Sequence, residues 1–408
     1  MSSKNTPLST PVPSSDAPAA SASLLPPYFL ALGTFAIGTE GFMIAPLLPT
    51  IARDLGMSLS ATATLVVVFT LVMSLSSPMT TVMTASLRRR STLLVAMALF
   101  TLGNLVAAFS SSFATLMIAR ILMAIASGLY VPCANSLAGV IVPTEKRGRA
   151  LAIVSGGMTI AIALGLPLGA LVGHTFGWRS TFLAVAVMGL VAILGILSGV
   201  HRGAGSQIAV ASLSQRVGII RQRPVLRLLG ITLFWSIGAY TAYPYVAPYL
   251  TEVLGFGPAG IGATVSMWGI AAAVGVTVGG RLNDSFGSNR VVLWSLVLLG
   301  ASFATLALAT QLSPRAALVP VLAAIAVSGL SVWSFFPAQM ARLIAAGAVS
   351  QASVALALNT STMYLGFSIG SAMGAGVIGT GTVWGIGAIA AISEGISIWL
   401  DRKHIRLR

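Results

Sequence analysis

Glu40 and Arg120 are the residues of this chain whose positions make their charge expensive. Glu40 lies in "IGTEGFMIAPLLPTIARDLG", Ile37 to Gly56, whose front half is apolar. The apolar stretch begins near Leu24 and continues to Leu48, long enough to cross a bilayer. A carboxylate there costs about 2.5 kcal/mol or more. Arg120 sits inside another apolar stretch, within "ARILMAIASG". Charges inside a membrane mark ion, proton or substrate routes. A carboxylate withdrawn from water holds its proton more readily, so it can load a proton on one side and release it on the other. The plainer role for such a pair is a fixed ion pair that sets helix packing. The chain has only eight acids. Asp16, Asp54, Glu145, Glu252 and Asp401 fall in loops or tails, and Asp284 in a loop motif. Glu394 lies in the last apolar stretch, where it snorkels or packs. Elimination leaves Glu40 as the proton carrier.

The elements that position these residues are membrane spans. Hydrophobic residues make up 56% of the 408 and charged residues 8%. Soluble domains carry about 25% charged residues. A mean hydropathy of +0.94 needs repeated apolar spans rather than one core. Runs of about 20 apolar residues can be counted twelve times. They fall near 26–49, 61–83, 91–110, 113–142, 150–173, 180–200, 225–250, 260–281, 290–310, 316–344, 352–379 and 382–400. The fourth and tenth are long enough to include turn residues. The expected organisation is a disordered tail at 1–25, a six-helix half at 26–200 and a central loop at 201–224. A second six-helix half at 225–400 and a basic tail at 401–408 follow. The fold class is thus an all-α membrane protein of twelve transmembrane helices.

Charge sets the orientation. Of the 23 Lys and Arg residues, 19 fall on one side, with clusters at Arg88–Arg90, Lys146–Arg149, Arg202–Arg227 and the C-terminus. The other side receives Arg53, Arg179 and Arg315. The positive-inside rule places both termini and the central loop in the cytoplasm. The formal charge of +15 then faces anionic lipid, and no nucleic-acid site is needed. The single Cys133 rules out an internal disulfide. His174, His201 and His404 are dispersed without metal-ligand spacing, and no phosphate-binding loop appears. No cofactor, metal or catalytic constellation is indicated, so an enzyme is not expected.

An internal repeat joins the halves. "DLG" at Asp54 and "VLG" at Val253 follow the first and seventh spans. "TVMTASLRRR" at Thr81 and "GRLNDSFGSNR" at Gly280 follow the second and eighth. Both pairs share one offset of 199 residues. Parallel repeats about an axis normal to the membrane are a transporter architecture.

With these motifs the chain resembles the major facilitator superfamily from residue 26 to 400. Gly280, Leu282, Asp284 and Gly287 match that family's Gly-x-Leu-x-Asp-x-x-Gly loop, with Arg281 or Arg290 beside Asp284. Glycines suit a tight turn, and Asp284 can cap a helix or pair with a basic neighbour. The resemblance implies a conformational latch there. The first-half copy is degenerate, with Thr81, Ala85 and Arg88 at the matching positions. "IALGLPLGALVG", with Gly165, Pro167 and Gly169, resembles the family's antiporter motif. Its Gly-Leu-Pro order is similar to the arabinose- and purine-efflux branch of the twelve-span drug:proton antiporters. "GWRSTF" at Gly177 and "FFPAQMARL" point the same way.

The family fold implies that the first and fourth spans flank a central cavity. Glu40 lies about 20 Å in from one end of its span, and Arg120 about 11 Å from the other. In a core about 30 Å thick these depths nearly coincide. Both then face one cavity and couple protons to solute movement. Tyr130, Asn135, Trp235, Tyr240, Tyr243, Trp333, Gln339, Asn359 and Tyr364 are candidate cavity walls. Asn104 and Glu394 fall in spans peripheral in that fold.

The function these features imply is proton-coupled efflux of a small organic solute by a monomer in a bacterial inner membrane. A proton-coupled importer or uniporter stays open, as does a non-transporting sensor or scaffold. Sugars, nucleosides, metabolites and drugs all remain as substrate classes.

Overall fold

The computed structural model describes residues 23–83, 88–204, 222–346 and 352–406. The expected tail up to residue 22, most of the central loop and Ala85 lie outside the described residues, as does the side chain of Thr81. Among the described residues, twelve helices run in sequence. The first six are α1 (Leu25–Asp54), α2 (Leu59–Met83), α3 (Arg89–Ala108), α4 (Phe113–Ala138), α5 (Thr144–Phe176) and α6 (Trp178–Gly199). The second six are α7 (Arg223–Leu254), α8 (Pro258–Phe286), α9 (Ser288–Ala309), α10 (Pro314–Ala346), α11 (Ala352–Gly379) and α12 (Trp384–Arg406). Eleven are long and apolar enough to cross a membrane. In α12, Glu394, Asp401 and the basic residues after it dilute the apolar signal. No strand occurs among the described residues. With no water at that depth, helices satisfy every backbone group internally.

Two boundaries differ from expectation. α4 stops at Ala138, because Gly139 to Val142 turn back toward α5. α10 stays a single helix through Pro320 and Pro337. An even number of spans brings the two described ends of the chain to one face, called here the terminal face.

The halves are packed alike. α1 packs on α5 and α6, α2 on α4, and α3 on α4 and α6. Six helices on, α7 packs on α11 and α12, α8 on α10, and α9 on α10 and α12. Large apolar side chains such as Leu102, Leu194, Val319 and Ile392 point outward, where lipid is the solvent.

Between halves, α2 and α11 touch along their length. Ser60 Oγ donates to the Ala375 carbonyl at 2.9 Å, Ser368 Oγ to that of Val67 at 2.9 Å, and Ser74 Oγ to that of Ser361 at 2.8 Å. The other contacts concentrate away from the terminal face. α1 meets the distal part of α7, and α8 meets the middle and distal parts of α5.

Two irregularities serve those contacts. α5 carries a π-turn at Ala161–Gly165, just before Leu166 and Pro167. Pro167 cannot donate a backbone hydrogen bond, and a π-turn absorbs such a defect. Gly269 of α8 packs so closely on the Ile162 carbonyl of this turn that an added Cβ would overlap it at 2.5 Å. α7 tightens into a 3-10 turn at Tyr243–Tyr245 around Pro244.

The seam of α1 and α5 explains the glycines of the antiporter-like motif. Gly157, Gly165, Gly169 and Gly173 face Ala31, Thr39, Met43 and Leu47 at a constant register. Small residues let the two backbones approach closely, as membrane helices do when lipid gives no hydrophobic drive. Gly165 lies on the Thr39 hydroxyl, one residue from Glu40. Gly165→Leu would therefore overpack the seam, at a cost of about 1–3 kcal/mol. It should lower the thermal unfolding midpoint of the detergent-solubilised protein. Gly156→Leu, where an added Cβ meets nothing, should leave it unchanged. Equal midpoints would remove the seam from the account.

Candidate functional site

Glu40 of α1 and Arg120 of α4 meet directly. Arg120 Nη1 donates to Glu40 Oε1, and both side chains are fully buried. Arg120 is held from a third helix as well. Its Nε donates to the Leu65 carbonyl of α2 at 3.4 Å, and its guanidinium lies 3.9 Å from the Phe69 ring centroid. One guanidinium thus ties α1, α2 and α4 at mid-depth. The pair is incompletely satisfied. Glu40 Oε2 and Arg120 Nη2 are buried without a hydrogen-bond partner. Tyr240 of α7 and Tyr364 of α11 stand within electrostatic reach of Glu40, from the other half.

A pocket opens mostly within the second half, and Tyr240 in its wall faces the field of the pair. Phe42 is its wall from α1; α7 and α8 supply Tyr240, Tyr243 and Trp268, and α10 and α11 supply Trp333 and Phe367. The cavity these rings enclose is about 50 Å³, small against the roughly 300–1,000 Å³ of small-molecule sites, so a solute must spread its walls. The rings brace one another. Tyr240 stacks on Phe367 at 3.6 Å, and Tyr243 lies 4.5 Å from Trp268. Phe42 meets Tyr243 and Trp333 edge-on, each at 5.9 Å. Tyr243 also donates its hydroxyl to the Phe42 carbonyl at 2.9 Å, a hydrogen bond between halves. Trp333 Nε1 is buried without a partner. Phe42 is two residues from Glu40 on α1, a spacing that turns the two side chains to nearly opposite faces; Tyr240 is the pocket wall that stands within electrostatic reach of the pair.

The other wall candidates go elsewhere. Tyr364 and Trp235 touch the pocket only through ring contacts, with Phe367 and with Phe335 and Phe367. Tyr130 fits against Gly33 and donates to the Leu30 carbonyl at 3.2 Å. Asn135 accepts from Ser155 at 3.5 Å, between α4 and α5. Gln339 donates to the Leu228 carbonyl at 2.8 Å, and Asn359 accepts from Thr232 at 2.7 Å. These four spend their polar atoms holding helices together. Asn104 likewise donates to the Phe100 carbonyl of its own helix. Trp268, Phe42 and Phe367 escaped the sequence reading, because an aromatic ring in an apolar span carries no sign of its direction.

Other motif residues also resolve. Gly287 has φ of +81°, the left-handed region, so its glycine is required by the α8–α9 turn. Asp284 neither caps α9 nor pairs with Arg281 or Arg290. It is exposed in the last turn of α8, and the residue before α9 is Gly287. Gly280 has no neighbour for an added Cβ to meet. An ion pair the sequence reading missed sits at the distal face. Arg179 Nη1 meets Asp54 Oδ2 at 2.6 Å, and Trp178 Nε1 donates to the same oxygen at 3.2 Å. This explains the Trp-Arg of "GWRSTF" as a clasp of α6 on α1. Exposed, such a pair contributes about 0–1 kcal/mol.

Twelve helices in two similarly packed sets, with a charged pair buried in the first and an aromatic pocket in the second, have the architecture of a membrane transporter. The chain belongs to the Major Facilitator Superfamily, whose family model matches residues 30–257. It is 31% identical over 347 residues to the MFS-type transporter YbcL of Bacillus subtilis, covering 85% of this chain and 87% of that one. Identity to the inner membrane transport protein YdhP of Escherichia coli (strain K12) is 27% over 372 residues, 91% and 93% of the two chains. A chloramphenicol resistance protein of Streptomyces lividans is 35% identical over 262 residues, 64% of this chain and 67% of that one. The protein is a transporter and not an enzyme.

The buried pair makes an asymmetric prediction. Glu40→Leu strands an arginine that cannot shed its charge, at a cost of about 3–5 kcal/mol. Arg120→Leu strands a carboxylate that can take up a proton, so it should cost less. The double Leu variant should recover most of the loss. Unfolding midpoints in detergent test this order, and additive single effects would contradict a direct pair.

Proposed function

We propose that this protein exports a small organic solute in exchange for protons by alternating access, with Glu40 as proton carrier and Arg120 as its counter-ion. The observation that carries this reading is the incomplete pair. Among the described residues, Glu40 Oε2 and Arg120 Nη2 are buried and unpartnered at mid-depth. A pair kept only for packing would be selected to satisfy both atoms.

The cycle follows from charge. With the termini in the cytoplasm, the state described is closed to the periplasm by α1–α7 and α5–α8 packing. Glu40 is then ionised and held by Arg120. Solute enters the pocket from the cytoplasm, its binding overcomes the hold of the charged pair, and the halves rock to the opposite state. There a periplasmic proton neutralises Glu40 and loosens its hold on Arg120. After the return, the field of Arg120 favours release of the proton to the cytoplasm. The motif at Gly165, Pro167 and Gly169 keeps α5 against α1, and so holds the carrier in place as the halves move. The α8–α9 turn at Gly280, Asp284, Gly287 and Arg290 acts as a latch in the other conformation, since Asp284 is exposed and has no partner among the described residues in this one.

The pocket sets the solute class. Its walls are aromatic, with Ser328 among the few polar groups. That lining suits a compact aromatic solute of low charge. The Streptomyces lividans relative named for chloramphenicol resistance supports an aromatic drug of that kind, and efflux as the direction. Chloramphenicol is therefore the probe of choice.

In vesicles oriented with the terminal face outward, an acidic lumen should drive chloramphenicol accumulation by the wild type. Glu40→Gln should abolish that accumulation yet keep equilibrium exchange of labelled chloramphenicol, because Gln resembles the protonated acid. Undiminished accumulation by Glu40→Gln would sink the proton-carrier assignment.

A further inference from the structure

Elimination among the acids left Glu394 aside as a residue that snorkels or packs. It packs. Its side chain is fully buried in α12, and neither carboxylate oxygen has a hydrogen-bond partner. The group is wedged between three helices. Its Oε1 lies over Gly238 of α7, 2.6 Å from where a Cβ would stand. Its Cβ lies over Gly300 of α9, 3.3 Å from the same imagined atom. Glycine at both positions makes the room this acid occupies.

No charge balances it. On α12 the next acid is Asp401, seven residues on and paired with Arg342 of α10 at 2.6 Å. From α7 the facing residue is Gly238, and from α9 it is Gly300. The nearby hydroxyls of Ser393 and Ser397 are spent on the Phe234 and Ile231 carbonyls, at 2.7 and 3.0 Å. No ion pair reaches Glu394 among the described residues. An ionised carboxylate with neither partner nor water is among the costliest groups a protein can bury. A leucine would fill the same seam without that cost. The acid therefore points to a proton.

The pocket is close. Ala239, next to Gly238, lines it, as does Ile386, two helical turns before Glu394. We propose that Glu394 is a second proton-binding site, behind α7 as seen from the pocket, which exchanges its proton during the transport cycle. This rests on the proton-coupled reading above and extends it. The first half carries a proton site with a built-in counter-ion, Arg120. The second half carries one without. Movement of α7 against α12 opens Glu394 to the pocket, and reclosure dehydrates it.

Infrared difference spectroscopy of the reconstituted protein tests this without any solute. The wild type should show the carbonyl band of a protonated carboxylic acid in apolar surroundings, losing intensity as the pH is raised. Glu394→Gln should remove that titrating band, and Glu40→Gln should leave it. Glu394→Asp should move the band rather than delete it, which covers the case where Gln fails to fold. A band retained in Glu394→Gln would overturn the proposal. So would a wild-type band that never titrates, which marks a permanently protonated structural acid. Failure of the proton-coupled reading shows separately, as absence of gradient-driven chloramphenicol accumulation by the wild type.

Discussion

A carboxylate and a guanidinium removed together from water hold the first half in its arrangement. Charges at this depth survive only when paired or led to water. Glu40 and Arg120 meet this demand with one contact between α1 and α4, and the guanidinium spends a further donor and its face on α2. The three helices are therefore set relative to one another by a charge, as α10 and α12 are by Arg342 and Asp401, whereas the α1–α5 and α2–α11 seams are set by small residues and backbone-directed hydroxyls. The seam of α1 and α5 matters for the same reason. Thr39 rests in the notch left by Gly165, and the carboxylate is the next residue along.

The pair also couples the halves. Phe42 is both close to Glu40 and a wall of the pocket, and its carbonyl accepts from Tyr243 of α7. Tyr240 of α7 stacks in that pocket and stands within the field of the pair. A change of charge on Glu40 is thus felt at Tyr240, in the wall of the pocket. The 3-10 turn at Tyr243 to Tyr245 supplies a joint in α7 where such a change can be absorbed.

Charge and span count were legible in the sequence because both are rare signals in an apolar chain. Glu40 and Arg120 announce themselves, and their depths follow from helical rise. The pocket wall was legible only in part. Tyr240, Tyr243 and Trp333 do line it, yet Tyr130, Gln339 and Asn359 are polar side chains that satisfy backbone or neighbouring groups instead. In a helix apolar all round, no periodic stripe says which face is inward, so Trp268 was indistinguishable from a lipid-facing ring. Glu394 was obscured differently. Its environment depends on Gly238 and Gly300, glycines of other helices that no local pattern connects to it. The Asp284 loop shows the converse: a complete motif whose charge has no partner among the described residues.

The central claim is that the charged Glu40–Arg120 pair holds the conformation described, and that neutralising Glu40 releases it. Spin labels at Thr175 on α5 and Glu252 on α7 would report the distal gap between the halves, with Cys133 replaced by Ala. Their distance distribution should be short and narrow in the wild type at neutral pH, and should gain a longer component as pH falls. Glu40→Gln should show that longer component at every pH. Superimposable distributions for Glu40→Gln and wild type across the pH range would contradict the claim.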